Sequence, residues 1–356
     1  MSFEFLKNRS NAIKVTILLL ISIALISCET VSYYTQAARG QLAIVFGRED
    51  IQRLLADENL SPILRDKFNK VLQIREFSAQ ELLLPVDDNY LTYVDVEREH
   101  VVWNVFATPE FSTDPVNWCY PIAGCVSYRG YFSEPAATRY ALQLEEDGFD
   151  VYTGGVDAYS TLGWFEDSLL STVISREDYQ LAGLIFHELA HQLTYVAGDT
   201  TFNESFASTV EREGLRRWLL SNGQAETIDV AALNQSRQQQ FINLVIEYRD
   251  KFDALYEKEI TETSKRSEKT LLQNQLRDEY QSLKQEWQGY AGYDGWFSMP
   301  LNNAQLSTVG SYNDLVPFFT DLLHQSNEDL AVFYAEVERI AGLSDVEREE
   351  LLENWQ

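Results

Sequence analysis

Two histidines one helical turn apart inside an apolar run constrain this chain more than any other feature. The segment His187-Glu188-Leu189-Ala190-His191 is flanked by Leu181, Ala182, Leu184, Ile185, Phe186 and Leu193. That pattern predicts a largely buried helix, on which positions i and i+4 share one face. Two imidazoles held this way can grip one Zn2+ through their ring nitrogens, with Glu188 in reach of a water beside it. Only four histidines occur in the 356 residues, and two of them stand here. The alternative for so short a motif is a pair of core or surface histidines beside a solvated glutamate.

A catalytic zinc site takes a third protein ligand and leaves one position open for water. Asp199, Glu204 and Glu211 follow closely, whereas position 197 is Ala where a third histidine would stand in a longer zinc motif. A carboxylate is therefore expected. Glu204, in Asn203-Glu204-Ser205-Phe206-Ala207, fits best, because an antiparallel return across a short loop carries it back beside the first helix. The competing role for Glu204 is a helix cap, since Thr201-x-x-Glu204 has capping-box spacing. Glu211, two turns further on, is the reserve. With metal in place the pKa of a bound water falls towards ~7 and Glu188 serves as general base. Tyr128, Arg129, Tyr131 and Tyr159 are candidates to stabilise an oxyanion or contact substrate. Ordinary aromatic packing, with Arg129 pairing an acid, is the competing account. If the substrate's free amine must be held, Asp157, Glu166 and Asp167 are the acids nearest in sequence.

The rest of the chain predicts an α+β fold, mostly helical, with a small sheet before the histidine-bearing helix. Residues 29–48 read as a tether leading into helix. Residues 48–84 read as helical, divided at Ser61-Pro62 with Pro62 in a first turn. Tyr93–Val96 and Val101–Phe106 are β-branched and aromatic and read as strands. The strand at 101–107 is either core or an edge that pairs with an extended peptide. Residues 111–175, with Gly-Gly at 154–155, read as short strands and loops. A helix from about 177 has a start signal at Ser175-x-x-Asp178 and a stop at Gly198. Apolar residues at three- and four-residue steps over 231–290, interrupted by the charged stretch 261–267, predict a long helical hairpin, a projecting arm with room for a protein partner. Helices over 312–324 and 327–353 close the chain.

The N-terminus carries Lys7, Arg9 and Lys14 ahead of an apolar run from Val15 to Ile26, too short to span a membrane comfortably. It reads as a signal peptide, residues 1–27, leaving one domain over 28–356. An uncleaved anchor helix is the alternative. A net charge of −27 disfavours nucleic acid and anionic lipid surfaces. In an oxidising compartment Cys119 and Cys125 close a short Pro/Gly loop as a disulfide; a metal site or two buried thiols are the alternatives.

Leu25-Ile26-Ser27-Cys28 resembles the bacterial lipobox, which implies lipidation of Cys28 and a body held at the membrane, facing the periplasm. Glu29 in place of Asp leans towards the outer membrane. The motif His187–Gln192 with Phe202-Asn-Glu-Ser-Phe-Ala207 resembles a family of predicted zinc aminopeptidases among bacterial lipoproteins, a group similar to gluzincins. Ala37–Gln41, Gly124–Phe132, Ala158–Phe165 and Asn302–Ala304 carry the same resemblance over nearly the whole mature chain. It implies a zinc-dependent peptide hydrolase. An endopeptidase on the same chemistry, or a non-catalytic lipid-anchored scaffold, are the rival expectations.

Overall fold

The computed structural model describes residues 31–120, 124–158, 166–310 and 315–355. The signal segment, Cys28 and Tyr159 lie outside them. No described helix is long and apolar enough to cross a membrane.

The stretch read as a tether is part of the body. Residues 31–46 form helix α1, which packs on the sheet because Gly40 leaves room for Phe132: a Cβ there would fall 2.0 Å from the Phe132 ring. Gln36 of α1 accepts from the Phe132 N–H at 2.9 Å and donates to the Gly130 carbonyl at 3.5 Å, and Ile44 is buried. Strand β1 (Glu49–Asp50) leads into α2 (Ile51–Leu55) and α3 (Pro62–Gln80), with Pro62 in the first turn as expected.

The main sheet has the order β6–β3–β7, all antiparallel, from β3 (Val102–Pro109), β6 (Arg129–Tyr131) and β7 (Phe149–Val156). Strand β3 is paired with β7 along its whole length and with β6 over Trp103–Val105, which favours the core account of 101–107. Gly154 and Gly155 are strand residues of β7; Gly155 backs onto the His100 ring, which leaves no space for a side chain. A second sheet joins β1, β2 (Thr92–Val94) and β8 (Leu169–Leu170), and β4 (Trp118–Tyr120) pairs with β5 (Gly124–Val126). Within the stretch read as loops lies a full helix, α4 (Glu134–Glu146), opened by Pro135 and packed on β3 and β7. Its Ala-rich apolar face, with Ala137 fully buried, was hidden by the surrounding Gly and Tyr.

Helices α5 (Asp178–Leu193) and α6 (Thr200–Ser221) form the antiparallel pair that the site needs. Leu181, Ile185, Phe186 and Leu189 of α5 are fully buried, each contributing roughly 2 kcal/mol by removal from water, and they turn the opposite face outward. The cap of α5 is a Glu177/Gln180 box, two residues on from the expected Ser175. The helix ends at Leu193, ahead of Gly198, because Asn203 takes hold of Val196: its amide oxygen accepts from Val196 N and its nitrogen donates to Val196 O, both at 2.8 Å. Gly198 instead supplies a left-handed turn in the link, with φ +87°.

Helices α7 (Ala225–Tyr256) and α8 (Glu262–Glu286) form the expected hairpin, with a core of their own around Phe241, Tyr248, Phe252, Tyr280 and Trp287. Thr261 caps α8, so 262–267 is its first turns. The hairpin does not project freely. Lys269 donates to Asp150 at 2.6 Å and to the Glu110 carbonyl at 2.9 Å, and Arg266 pairs Glu110. Short helices α9 (Asp294–Phe297) and α10 (Asn303–Ser307) reinforce that dock: Asn303 is fully buried and bonds Asp150, Tyr256 and Glu110. Helices α11 (Val316–Gln325), α12 (Leu330–Ala341) and α13 (Asp345–Glu353) follow; the single helix expected over 327–353 is split at Gly342–Ser344 by a Ser344/Glu347 capping box. The result is a mostly helical α+β fold.

Candidate metal centre

The outward face of α5 carries His187, Glu188 and His191, and α6 brings Glu204 against it. The two Nε2 atoms lie 3.2 Å apart; Glu204 Oε2 lies 3.3 Å from His187 Nε2, and Oε1 lies 3.5 Å from His191 Nε2. Ligand atoms roughly 2.0–2.1 Å from one tetrahedral zinc stand about 3.3 Å from each other; the two Nε2 atoms match that edge, and the Glu204 carboxylate meets each ring at a similar distance through a different oxygen. One ligand atom from each of these residues falls within 4.8 Å of the others, the arrangement a metal ion requires. Among the described residues His191 Nδ1 is buried without a hydrogen-bond partner. The donor set, two imidazoles and a carboxylate, suits zinc.

Glu204 is not consumed by the cap. Asp199 accepts from Phe202 N at 3.0 Å and starts α6 itself, which leaves Glu204 on the facing surface. Glu211 is no third ligand in this geometry. Its carboxylate accepts from the other nitrogen of His187, Nδ1, at 3.1 Å, so it fixes the ring so that Nε2 faces the cluster. Gly183 makes room for it: a Cβ there would meet Glu211 Oε1 at 3.1 Å.

The electrostatics follow from burial and these contacts. Burial draws the His187 pKa down, but hydrogen bonds to Glu204 and Glu211 outweigh it and raise the ring to about 10. Burial and the neighbouring charge on His187 hold His191 down, at about 4, so one proton serves the pair. Burial pushes the Glu188 carboxyl up to about 7, against the pull of His187. Among the described residues Glu188 makes no hydrogen bond and no ion pair. It faces open space on two sides. A cleft of about 610 Å3 lies over the site on the sheet side, walled by Tyr33, Tyr34, Tyr120, Tyr128 and Phe132. A second cavity of about 710 Å3 reaches Glu188 and His187 from the hairpin side, past Gln235, Gln238 and Tyr290.

The other expected contacts divide. Tyr128 lines the sheet-side cleft, its ring against Phe106. Tyr131 is a core residue, 6% exposed. Arg129 stacks between Tyr33 and Tyr140, its guanidinium 4.3 and 4.4 Å from the two ring centres, and does not line the cleft. Aromatic packing thus describes both, and the strand register that turns their side chains away from the site is not visible in local composition. Cys119 and Cys125 form a disulfide across β4–β5, whose Tyr120 and Val126 face the cleft. Of the three acids considered for an amine, Asp157 is engaged with His100 at 2.6 Å and Arg176 at 3.5 Å, and Glu166 pairs Arg48. Only Asp167 reaches the site, sharing a small recess with Tyr90 and Glu188. The sequence reading missed Tyr33 and Tyr34, hidden in the supposed tether, and the role of Glu211. The seven-residue step from Glu204 to Glu211 was the available signal for the latter, because it returns to the same helical face.

A family model described as "Putative aminopeptidase" matches residues 32–352. No curated protein and no solved structure matches the chain.

Proposed function

This chain belongs to the family described as "Putative aminopeptidase", and from that premise we propose that it is a zinc-dependent peptide hydrolase that removes residues from peptide N-termini. The single observation that carries the metal assignment is the convergence of His187, His191 and Glu204, one ligand atom of each lying within 4.8 Å of the others and the two Nε2 atoms 3.2 Å apart. Zinc in that place supplies a Lewis acid that polarises a carbonyl and makes water acidic near neutral pH. The chain's own residues do the rest. Glu188, half-buried beside the cluster and without a hydrogen bond or ion pair among the described residues, accepts a proton from water and returns it to the leaving amine. Glu211 keeps His187 in the tautomer that presents Nε2. Tyr128 and Tyr33 give the peptide an aromatic wall. Asp167, in a recess of about 20 Å3 beside Glu188, has room beside it for a group the size of an ammonium. The lipid anchor on Cys28 and a periplasmic, outer-membrane location complete the proposal on the strength of the N-terminal sequence alone.

Openness on both sides of the site favours one second reading, an endopeptidase, because a chain can extend past the scissile bond in each direction. A digest of matched peptides with free and acetylated N-termini separates the two, and cleavage of the acetylated set excludes a strict aminopeptidase. Glu188→Gln tests the mechanism. The expected loss is 100-fold or more in kcat with zinc still bound, roughly the contribution of a positioned general base; full activity in that variant refutes the role.

A further inference from the structure

The hairpin side of the site holds a cation that the proposed mechanism does not use. A cavity of about 370 Å3 joins His187, Glu204 and Glu211 to Arg212 on α6 and to Gln238 on α7. Arg212 is half-buried, and among the described residues its guanidinium makes no hydrogen bond and no ion pair. Glu211 attracts it without forming an ion pair, and that carboxylate already accepts from His187 Nδ1. Among the described residues the only other arginine or lysine lining the cavities around the site is Arg176, which pairs Asp157. A chain with 55 acids and 28 bases offers many ways to satisfy an arginine. A desolvated guanidinium held without a partner beside a metal centre fits an anion that arrives with the ligand.

We propose that Arg212 binds a carboxylate of the substrate on the hairpin side of the metal, so that the preferred substrates are short peptides ending close to the cleaved bond. The occupant is a carboxylate because the fork of a guanidinium matches it in two parallel bonds, and because a peptide carries one at its C-terminus. Arg212 lies eight residues beyond Glu204 on one helix, about 12 Å along its axis, and the side chain leans back towards Glu204. The guanidinium therefore falls on the order of two or three extended residues from the scissile bond, at ~3.3 Å per residue. For a residue removed from the N-terminus, that is the reach of a tripeptide. An acidic side chain at the same distance presents the same chemistry. The inference deepens the peptidase reading and rests on it.

The test uses full-length protein loaded with Zn2+ and three kinds of probe: trialanine, trialanine amide, and the amide with Glu at its second or third position. Wild type is expected to favour the free acid over the amide by about 30-fold in kcat/KM, the usual worth of a charge-assisted bond, chiefly through KM. In Arg212→Gln that ratio is expected to fall to about two, and Arg212→Lys to keep part of it, which guards against a folding artefact. Rescue of the amide by Glu assigns the site to side chains; no rescue assigns it to the C-terminus. A ratio near one in wild type without rescue, or an unchanged ratio in Arg212→Gln, overturns the inference. Calorimetric binding of the same peptides to Glu188→Gln, with and without Arg212→Gln, reads the contact without turnover. If wild type cleaves none of the peptides, the peptidase reading fails, and the binding difference between acid and amide still decides the role of Arg212: equal or absent binding overturns it.

Discussion

Replacing Glu211 should weaken zinc without removing a ligand. The carboxylate stands 3.1 Å from His187 Nδ1, on the side of the ring away from the cluster. It therefore acts by holding the ring orientation and by making Nε2 a better donor. Outer partners of this kind are worth about 10–100-fold in metal affinity, or ~1.4–2.7 kcal/mol. Glu211→Gln keeps an acceptor but loses the charge, and about tenfold is expected. Glu211→Ala leaves the buried Nδ1–H without a partner, and the loss should approach ~100-fold. Gly183→Ala reaches the same place from α5: its Cβ would lie 3.1 Å from Glu211 Oε1 and 3.4 Å from Cγ, so the carboxylate must shift by a few tenths of an ångström. That variant should gain up to ~1 kcal/mol of helix stability while losing zinc affinity, two changes of opposite sign that a general loss of structure cannot mimic. Competition with a chromophoric chelator gives the affinities, and melts of metal-free protein give the stabilities. Unchanged affinity in both Glu211→Gln and Gly183→Ala would refute the orienting role. A loss as deep as that of Glu204→Ala would make Glu211 a direct ligand and refute the geometry.

Two further expectations concern the frame that delivers these residues. Asn203→Ala takes the acceptor from Val196 N and one of two donors from Val196 O, each at 2.8 Å, and should cost about 1–3 kcal/mol, seen as a fall in melting temperature of ~2–4 °C; because Asn203 precedes Glu204, zinc affinity should fall with it. Lys269→Met leaves Asp150 without its cation in a contact where the two side chains are 10% and 17% exposed, and about 3 kcal/mol of stability should go. Adding Asp150→Asn should recover part of that, since most of the cost comes from the stranded charge and less from the lost bridge; further loss in the double variant would contradict it.

Much of the site was legible because its chemistry is local. The i, i+4 spacing of His187 and His191 and the apolar residues around them define both the helix and the face that carries the two rings. Glu204 was reachable by one further step, a short loop and an antiparallel return. What stayed hidden depended on contacts distant in sequence. Arg129 looked like a cleft residue until α1 brought Tyr33 over it. Residues 31–46 looked like a tether because the contacts that dock them, Gln36 on Phe132 N and Gly40 against the Phe132 ring, lie far along the chain. Helix α4 was obscured by Gly- and Tyr-rich neighbours, although Pro135 in a first turn after Ser133 marked its start. The capping-box spacing at Thr201 was a false lead: Asp199, two residues earlier, caps the helix by accepting from Phe202 N. Arg212 had no sequence signal, since an arginine without a partner among the described residues can be recognised only once its neighbours are placed.

The clasp of one metal by two imidazoles and a carboxylate is tested most directly by a crystal of the Zn2+-loaded protein measured at the zinc absorption edge. One anomalous peak is expected, touching Nε2 of His187, Nε2 of His191 and the carboxylate of Glu204, with Glu211 outside it on Nδ1. No peak at α5, or a peak that includes Glu211 in place of Glu204, would contradict the account.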